Sequence, residues 1–261
     1  MVLWLLVLAV IPSIALVVLF YLLDRYEPEP RARVLRAFLY GTLLVVPALF
    51  VERWARGVAG WEFLLLGGLR ADLVSSFLTA GLPEEGVKFL LMMAVVVPWT
   101  EFDEPFDGIV YGSALALGFA CVENVVYVLR THMMGGNALH VALLRGILSV
   151  PAHALYGASM GALLGKMKFE SARWAKWLFA LAAVLVPWGF HGTYDLFCLF
   201  VGRSWGWTVL IVVSLVMWGF VLWFVPHSLA ASPFKPGAVR SVLVPDADGN
   251  HEEPHEEPDV G

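Results

Sequence analysis

GIVYGSALALGFACVENVVYVL, from Gly108 to Leu129, is the stretch on which the fold turns. It reaches the ~20 apolar residues that a helix needs to cross a bilayer, yet it contains Glu123 and Asn124. A charged side chain deep in hydrocarbon costs at least ~2.5–3.5 kcal/mol on insertion scales, so such residues face a protein interior or a wet cavity and carry function. The stretch therefore predicts a membrane helix packed inside a bundle, with a polar partner for its carboxylate.

Outward from it, the N-terminal run MVLWLLVLAVIPSIALVVLFYLL lacks a basic leader and is too long for a signal-peptide core, so it reads as a retained first span. Further spans are expected at Val34–Phe50, Ala71–Pro98, Leu139–Leu164, Trp174–Phe200 and Trp205–Val225. All are read as helices, because a chain in lipid must satisfy its backbone hydrogen bonds internally. The expectation is an all-α polytopic transmembrane bundle of about seven spans. Eight is the alternative, because WEFLLLGGLRADLVSSFLTAG (61–81) contains Arg70, Asp72 and two adjacent glycines. That segment is either a span of its own or an interfacial lead into a span broken near Pro83.

Composition agrees. Hydrophobic residues make up 59% of the chain and charged ones 15%, against roughly 45–50% and 25% in a soluble domain. The net charge of −5 is uneven, with much of the acid in the terminal HEEPHEEPD, so the rest is near neutral and nucleic acid is not implied. From Ser228 the chain turns to Pro, Gly, Asp and Glu. This predicts a membrane domain over 1–227 and a disordered acidic tail over 228–261. The HEEP repeat reads as a solvated tract rather than a metal site. Basic clusters at Arg25, Arg31, Arg33 and Arg36, at Lys166, Lys168, Arg173 and Lys176, and at Lys235 and Arg240 predict three cytoplasmic regions. The N-terminus then lies outside and the C-terminus in the cytoplasm. Cys121 and Cys198 lack CxxC spacing and read as buried small hydrophobes.

Four motifs carry ionisable residues in or beside these spans. In GLPEEGVK (81–88), Pro83 suits a first helical turn, and Glu84 and Lys88 are i,i+4 neighbours. Adjacent carboxylates beside a cation hold different pKa values, so Glu84 and Glu85 can divide the labour of base and partner. The blander reading is a helix start with a structural salt bridge. In GFACVENVVY (118–127), Glu123 must be protonated, paired or ligating, and Lys88 is the expected partner. RGILSVPAHALYG (145–157) spaces Arg145, Ser149 and His153 at i, i+4, i+8, with Pro151 in the stripe. In GFHGTYD (189–195), His191 and Asp195 are again i,i+4, which fixes the imidazole tautomer that a catalytic acid, an oxyanion donor or a metal ligand needs.

Together these motifs resemble the PrsW family of intramembrane proteases, distant relatives of the CAAX-processing and bacteriocin-processing membrane proteases. The likeness runs through DRYEPEP (24–30), EEGVK (84–88), FDGIVYGSALALGFACVEN (106–124), PAHALYG (151–157) and HGTYD (191–195). It implies hydrolysis of membrane-protein substrates, such as the first cut of a single-pass anti-sigma factor, in a bacterial plasma membrane. By that resemblance the paired glutamates are Glu84 and Glu85, the FxxxE glutamate is Glu123, and the two histidines are His153 and His191. The family has been called both metallo- and glutamic-type, which leaves the metal open.

Peptide hydrolysis needs an activated water, charge stabilisation at the carbonyl oxygen and a proton for the leaving amine. The favoured reading supplies these without a cofactor. Glu84 is the base and Glu85 its partner, His153 and His191 are acid or oxyanion donors, Glu123 and Asp195 orient them, and Lys88 and Asn124 support. The rival reading is a zinc site built from His153, His191, Glu123 and Asp195, although no HExxH occurs. Outside hydrolysis, a proton-coupled transporter predicts internal repeats, which the sequence lacks. A non-catalytic scaffold predicts that the polar residues disperse in space.

Overall fold

The greasy segments form helices throughout. In the computed structural model, which describes residues 2–66, 68–203 and 205–236, no described residue is in a strand. In chain order the helices are α1 (Val2–Leu23), α2 (Arg31–Leu66), α3 (Gly68–Leu73), α4 (Leu82–Leu91), α5 (Pro105–Met133), α6 (Ala138–Leu144), α7 (Val150–Phe169), α8 (Arg173–Cys198) and α9 (Gly206–Ala230). Wider π-helical turns at Val74–Gly81 and Arg145–Ser149 join α3 to α4 and α6 to α7, and a third, Met92–Val96, extends α4. Among the described residues, five stretches are long and apolar enough to cross a membrane: α1, α2 (over Arg31–Val58), α5, the joined α6–α7 and α9. The other two long helical stretches, α3–α4 and α8, carry the ionisable residues of GLPEEGVK and HGTYD.

The segment that left the span count open divides differently from either expectation. Residues up to Leu66 complete α2, and the chain is not broken at Pro83. Pro83 and Pro151 have no N–H, and their rings crowd the carbonyl four residues back. The widened turns before them make the room. Leu82 N–H reaches back five residues to Phe77 O, and Val150 N–H to Arg145 O. Phe77 O also accepts from Trp188 Nε1 at 2.7 Å, which ties α8 to this turn. At the C-terminal end, α9 continues past Ser228 to Ala230. The HEEP tract and the rest of 237–261 lie outside the described residues.

Helix α5 is the axis of the bundle. Of its most apolar window 78% is buried, against 17% for α1 and 22% for α9. Lipid is as apolar as leucine, so membrane helices associate through close packing and small residues rather than hydrophobic expulsion. Here a glycine seam does this. A Cβ on Gly108 or Gly161 would collide with the other's carbonyl oxygen, and the same holds for Gly112 and Gly157. On the opposite face, Gly118 lets α5 meet the backbone of α2 at Phe38, and Gly41 of α2 meets Leu115. The backbones of α5 and α7 thus touch, and the two helices hold Glu123 and His153 at a fixed separation. Cys121 is buried as expected, but Cys198 is exposed, because it ends α8 beside the cavity described below.

Candidate active site

Most of the helices contribute to one cavity of about 640 Å³, and its ionisable wall comes chiefly from α4, α5, α7 and α8. The turn before α4 and α4 itself bring Ser75, Ser76 and Glu84; α5 brings Glu123; α7 brings His153 and Tyr156; α8 brings His191 and Asp195. Glu85 does not line it. Its side chain is fully buried one layer behind.

Lys88 organises that inner layer. Its ammonium is completely buried, 2.8 Å from Glu85 Oε1, 3.5 Å from Glu84 Oε2, 3.4 Å from His153 Nδ1 and 4.1 Å from the centre of the Phe119 ring. The sequence led us to expect Lys88 opposite Glu123, and the structure corrects this. Lys88 is spent on the carboxylates three and four residues before it on its own helix, while Glu123 pairs with Arg145 at 2.8 Å and His153 Nε2 at 3.1 Å. Asn124 supports from outside the cavity. Its amide donates to Ala9 O of α1 at 2.8 Å, and its Oδ1 accepts from Arg145 Nε at 3.2 Å. It thereby steadies the arginine that holds Glu123.

These contacts fix both tautomers. An ammonium only donates, so His153 Nδ1 accepts from Lys88, and the ring proton sits on Nε2, in close contact with Glu123 Oε2 at 3.1 Å but without hydrogen-bond geometry. Both nitrogens of His153 are therefore engaged. His191 Nδ1 lies 2.8 Å from Glu85 Oε1, a carboxylate oxygen that already accepts from Lys88, so Nδ1 is the donor. Its Nε2 is left 3.4 Å from Asp195 Oδ2 and 4.0 Å from Glu84 Oε2. Gly192 permits this placement: a side chain there would strike the Phe77 ring, which packs flat on α8. Several buried atoms here lack a hydrogen bond: one oxygen each of Glu84, Glu85 and Glu123, Nη2 of Arg145, and the hydroxyl of Tyr156, whose ring stacks on His191 at 4.8 Å and 14°. Of these, Glu84 and Tyr156 line the cavity beside His191.

Several lining residues had no role in the sequence reading. Tyr156 lies inside the quoted PAHALYG, but nothing in one sequence marks its hydroxyl as unpartnered. Glu52, paired with Arg56 at 2.6 Å, lines the cavity from α2 beyond the point where the second span was expected to end.

A helical bundle with carboxylates and imidazoles converging on a cavity among apolar helices defines a membrane-embedded hydrolase. The sequence pattern described as "PrsW family intramembrane metalloprotease" matches residues 29–225, so the chain belongs to the PrsW family of intramembrane proteases. Protease PrsW of Geobacillus kaustophilus (strain HTA426) is 37% identical over 211 residues, covering 80% of this chain and 85% of that protein. Protease PrsW of Bacillus subtilis (strain 168) is 38% identical over 211 residues, covering 79% and 88%, and that of Clostridioides difficile (strain 630) is 35% identical over 195 residues, covering 75% and 79%. No solved structure matches the chain. The protein is thus an integral membrane peptidase acting on membrane-protein substrates.

The family's description raises the metal. Glu84, Glu85, His153 and His191 each offer a donor atom within 4.8 Å of the others. Two imidazoles and two carboxylates are the donor types of a hydrolytic zinc site, so the residues fit the ion by type and spacing. Lys88, already among three of these donors, would turn aside to admit it.

Proposed function

We propose that this protein cuts single-pass membrane proteins, of the anti-sigma-factor type, by a water that Glu84 activates. The observation that carries this reading is the buried Glu84 Oε2, which lines the cavity beside His191 Nε2 without a hydrogen bond and with only a loose 3.5 Å ion-pair contact to Lys88. Glu84 takes a proton from the water, whose oxygen attacks the scissile carbonyl carbon. The unpartnered Tyr156 hydroxyl is the donor for the oxyanion that forms. The proton held by Glu84 then passes by way of His191 Nε2, whose ring Glu85 fixes through the Nδ1 proton, to the leaving nitrogen as the C–N bond breaks, which returns Glu84 to the carboxylate. His153, engaged at both nitrogens, is a positioning residue that links Lys88 to Glu123. The protease body runs to the end of α9 at Ala230, with the N-terminus outside and the tail that follows in the cytoplasm.

A second reading is favoured by the four clustered donors and the family's description. In it, Glu84, His153 and His191 would hold zinc, with Glu85 orienting His191 from behind. A zinc ion there would supply Lewis-acid activation of water and carbonyl.

Comparison of membrane-protein fragments from cells expressing wild type or Glu84→Gln tests the first reading, alongside cleavage of a transmembrane reporter by purified protein. Glu84→Gln is expected to lose on the order of 10²–10⁴-fold in rate while inserting normally, with an unchanged or raised melting temperature. A Glu84→Gln protein that cuts at the wild-type rate overturns the assignment.

A further inference from the structure

The DRYEPEP motif (24–30) and the acidic stretch FDEPFDG (102–108) that leads into α5 take no part in the cavity chemistry, yet the fold brings them together. Asp24 and Glu29 sit in the α1–α2 corner, Glu104 caps the start of α5, and Asp107 is in its first turn. Asp107 and Glu123 are 16 residues apart on one helix, so this cluster is about 24 Å from the catalytic carboxylates at 1.5 Å per residue.

All four side chains are buried: Asp24 is 4% exposed, Glu29 4%, Glu104 0% and Asp107 1%. One oxygen from each of Asp24, Glu104 and Asp107 lies within 4.8 Å of the other two. Asp107 Oδ2 is held by the amides of Asp103 and Glu104, both at 2.7 Å, and Glu29 accepts the Tyr111 hydroxyl. Neither oxygen of Asp24 has a hydrogen-bond partner, and Glu104 has no more than the capping-box contact to the first-turn backbone of α5.

Among the described residues no cation forms an ion pair with Asp24, Glu29, Glu104 or Asp107. The neighbouring Lys168 donates instead to Val97 O and Trp99 O, and Arg33 is taken by Glu101. Buried carboxylates so close together repel and are poorly solvated, and they persist only when paired, protonated or bound to a metal.

We propose that Asp24, Glu104 and Asp107 hold a hard divalent cation, Mg²⁺ or Ca²⁺, that clamps the α1–α2 corner to the start of α5. Donors that are all oxygen, with no imidazole or thiolate, select these ions over zinc. The site is structural and separate from the cavity, so it is independent of how the peptide bond is cut.

The test uses full-length protein in detergent, stripped of metal and titrated separately with MgCl₂, CaCl₂ and ZnCl₂ at constant ionic strength, with melting temperature and calorimetric binding as readouts. Wild type should gain several degrees with Mg²⁺ or Ca²⁺, and the ion giving the larger gain identifies the occupant. Asp24→Asn and Glu104→Gln should each weaken binding on the order of tenfold or more and abolish the gain. In metal-free buffer both should melt at or above wild type, because each removes an unpartnered buried charge. Glu84→Gln, at the other end of the bundle, should keep the gain. The proposal is overturned if wild type shows no cation-dependent gain, if zinc alone gives one, or if the gain survives in both Asp24→Asn and Glu104→Gln. Should one variant fail to insert, the other and the wild-type titration decide.

Discussion

At the residue scale, the consequential difference among the site's groups is which are spoken for. Lys88, Glu85 Oε1 and the rings of His153 and His191 hydrogen-bond one another behind the cavity, whereas Glu84 Oε2 and the Tyr156 hydroxyl line the cavity without a hydrogen bond. Tyr156→Phe keeps the ring stacked on His191 and removes only the donor. It should lower kcat by about 10²–10³, the usual effect of losing one oxyanion donor, with KM little changed. A normal kcat removes Tyr156 from the reaction. The sequence was informative here up to a point. Glu84, Glu123, His153 and His191 stood out because charge in lipid is costly. Who pairs with whom did not, because Lys88 and Arg145 are both plausible partners for Glu123 until the helices are placed. The Tyr156 hydroxyl could not stand out at all, since a tyrosine in an apolar run is ordinary.

At the scale of elements, the α5–α7 contact is the most sensitive part of the bundle. Gly161→Ala puts a methyl group into the Gly108 carbonyl and should cost about 1–3 kcal/mol as overpacking, seen as a lower melting temperature in detergent. Gly189→Ala, where a Cβ meets nothing within 4 Å, is the matched control and should be neutral or stabilising. Equal melting temperatures for the two variants would mean that the seam does not hold the helices. The helices themselves were legible from length and apolarity, but their internal register was not. Arg145, Ser149 and His153 have the spacing of one helical stripe, yet the wide turn at Arg145–Ser149 breaks the period between them. Single-sequence periodicity assumes 3.6 residues per turn and is blind to a turn that holds one more.

For the whole molecule, two measurements bear on how it sits and what it carries. Reporter fusions after Arg36 and Lys168 should both read as cytoplasmic, following the basic clusters. Either one reading as external overturns the proposed orientation. For the cofactor, activity should survive 1,10-phenanthroline in excess Mg²⁺ and Ca²⁺, which spares an oxygen-ligand site while removing zinc. Stoichiometric zinc by elemental analysis, lost with activity and restored on re-addition, would establish the zinc reading of the centre instead. The glycine-locked pair of α5 and α7 also has a mechanical consequence. Two backbones in contact move as one rigid body, so Glu123 and His153, one on each, keep their spacing as the surrounding bilayer thins or thickens. The compliance falls on the other wall, where Glu84 follows Pro83 and a wide turn, and His191 follows Pro187 within α8. Stiffness and give are thus shared between the two halves of one catalytic centre, and lipid thickness should tune the distance between Glu84 and His191 while leaving the Glu123–His153 side unmoved.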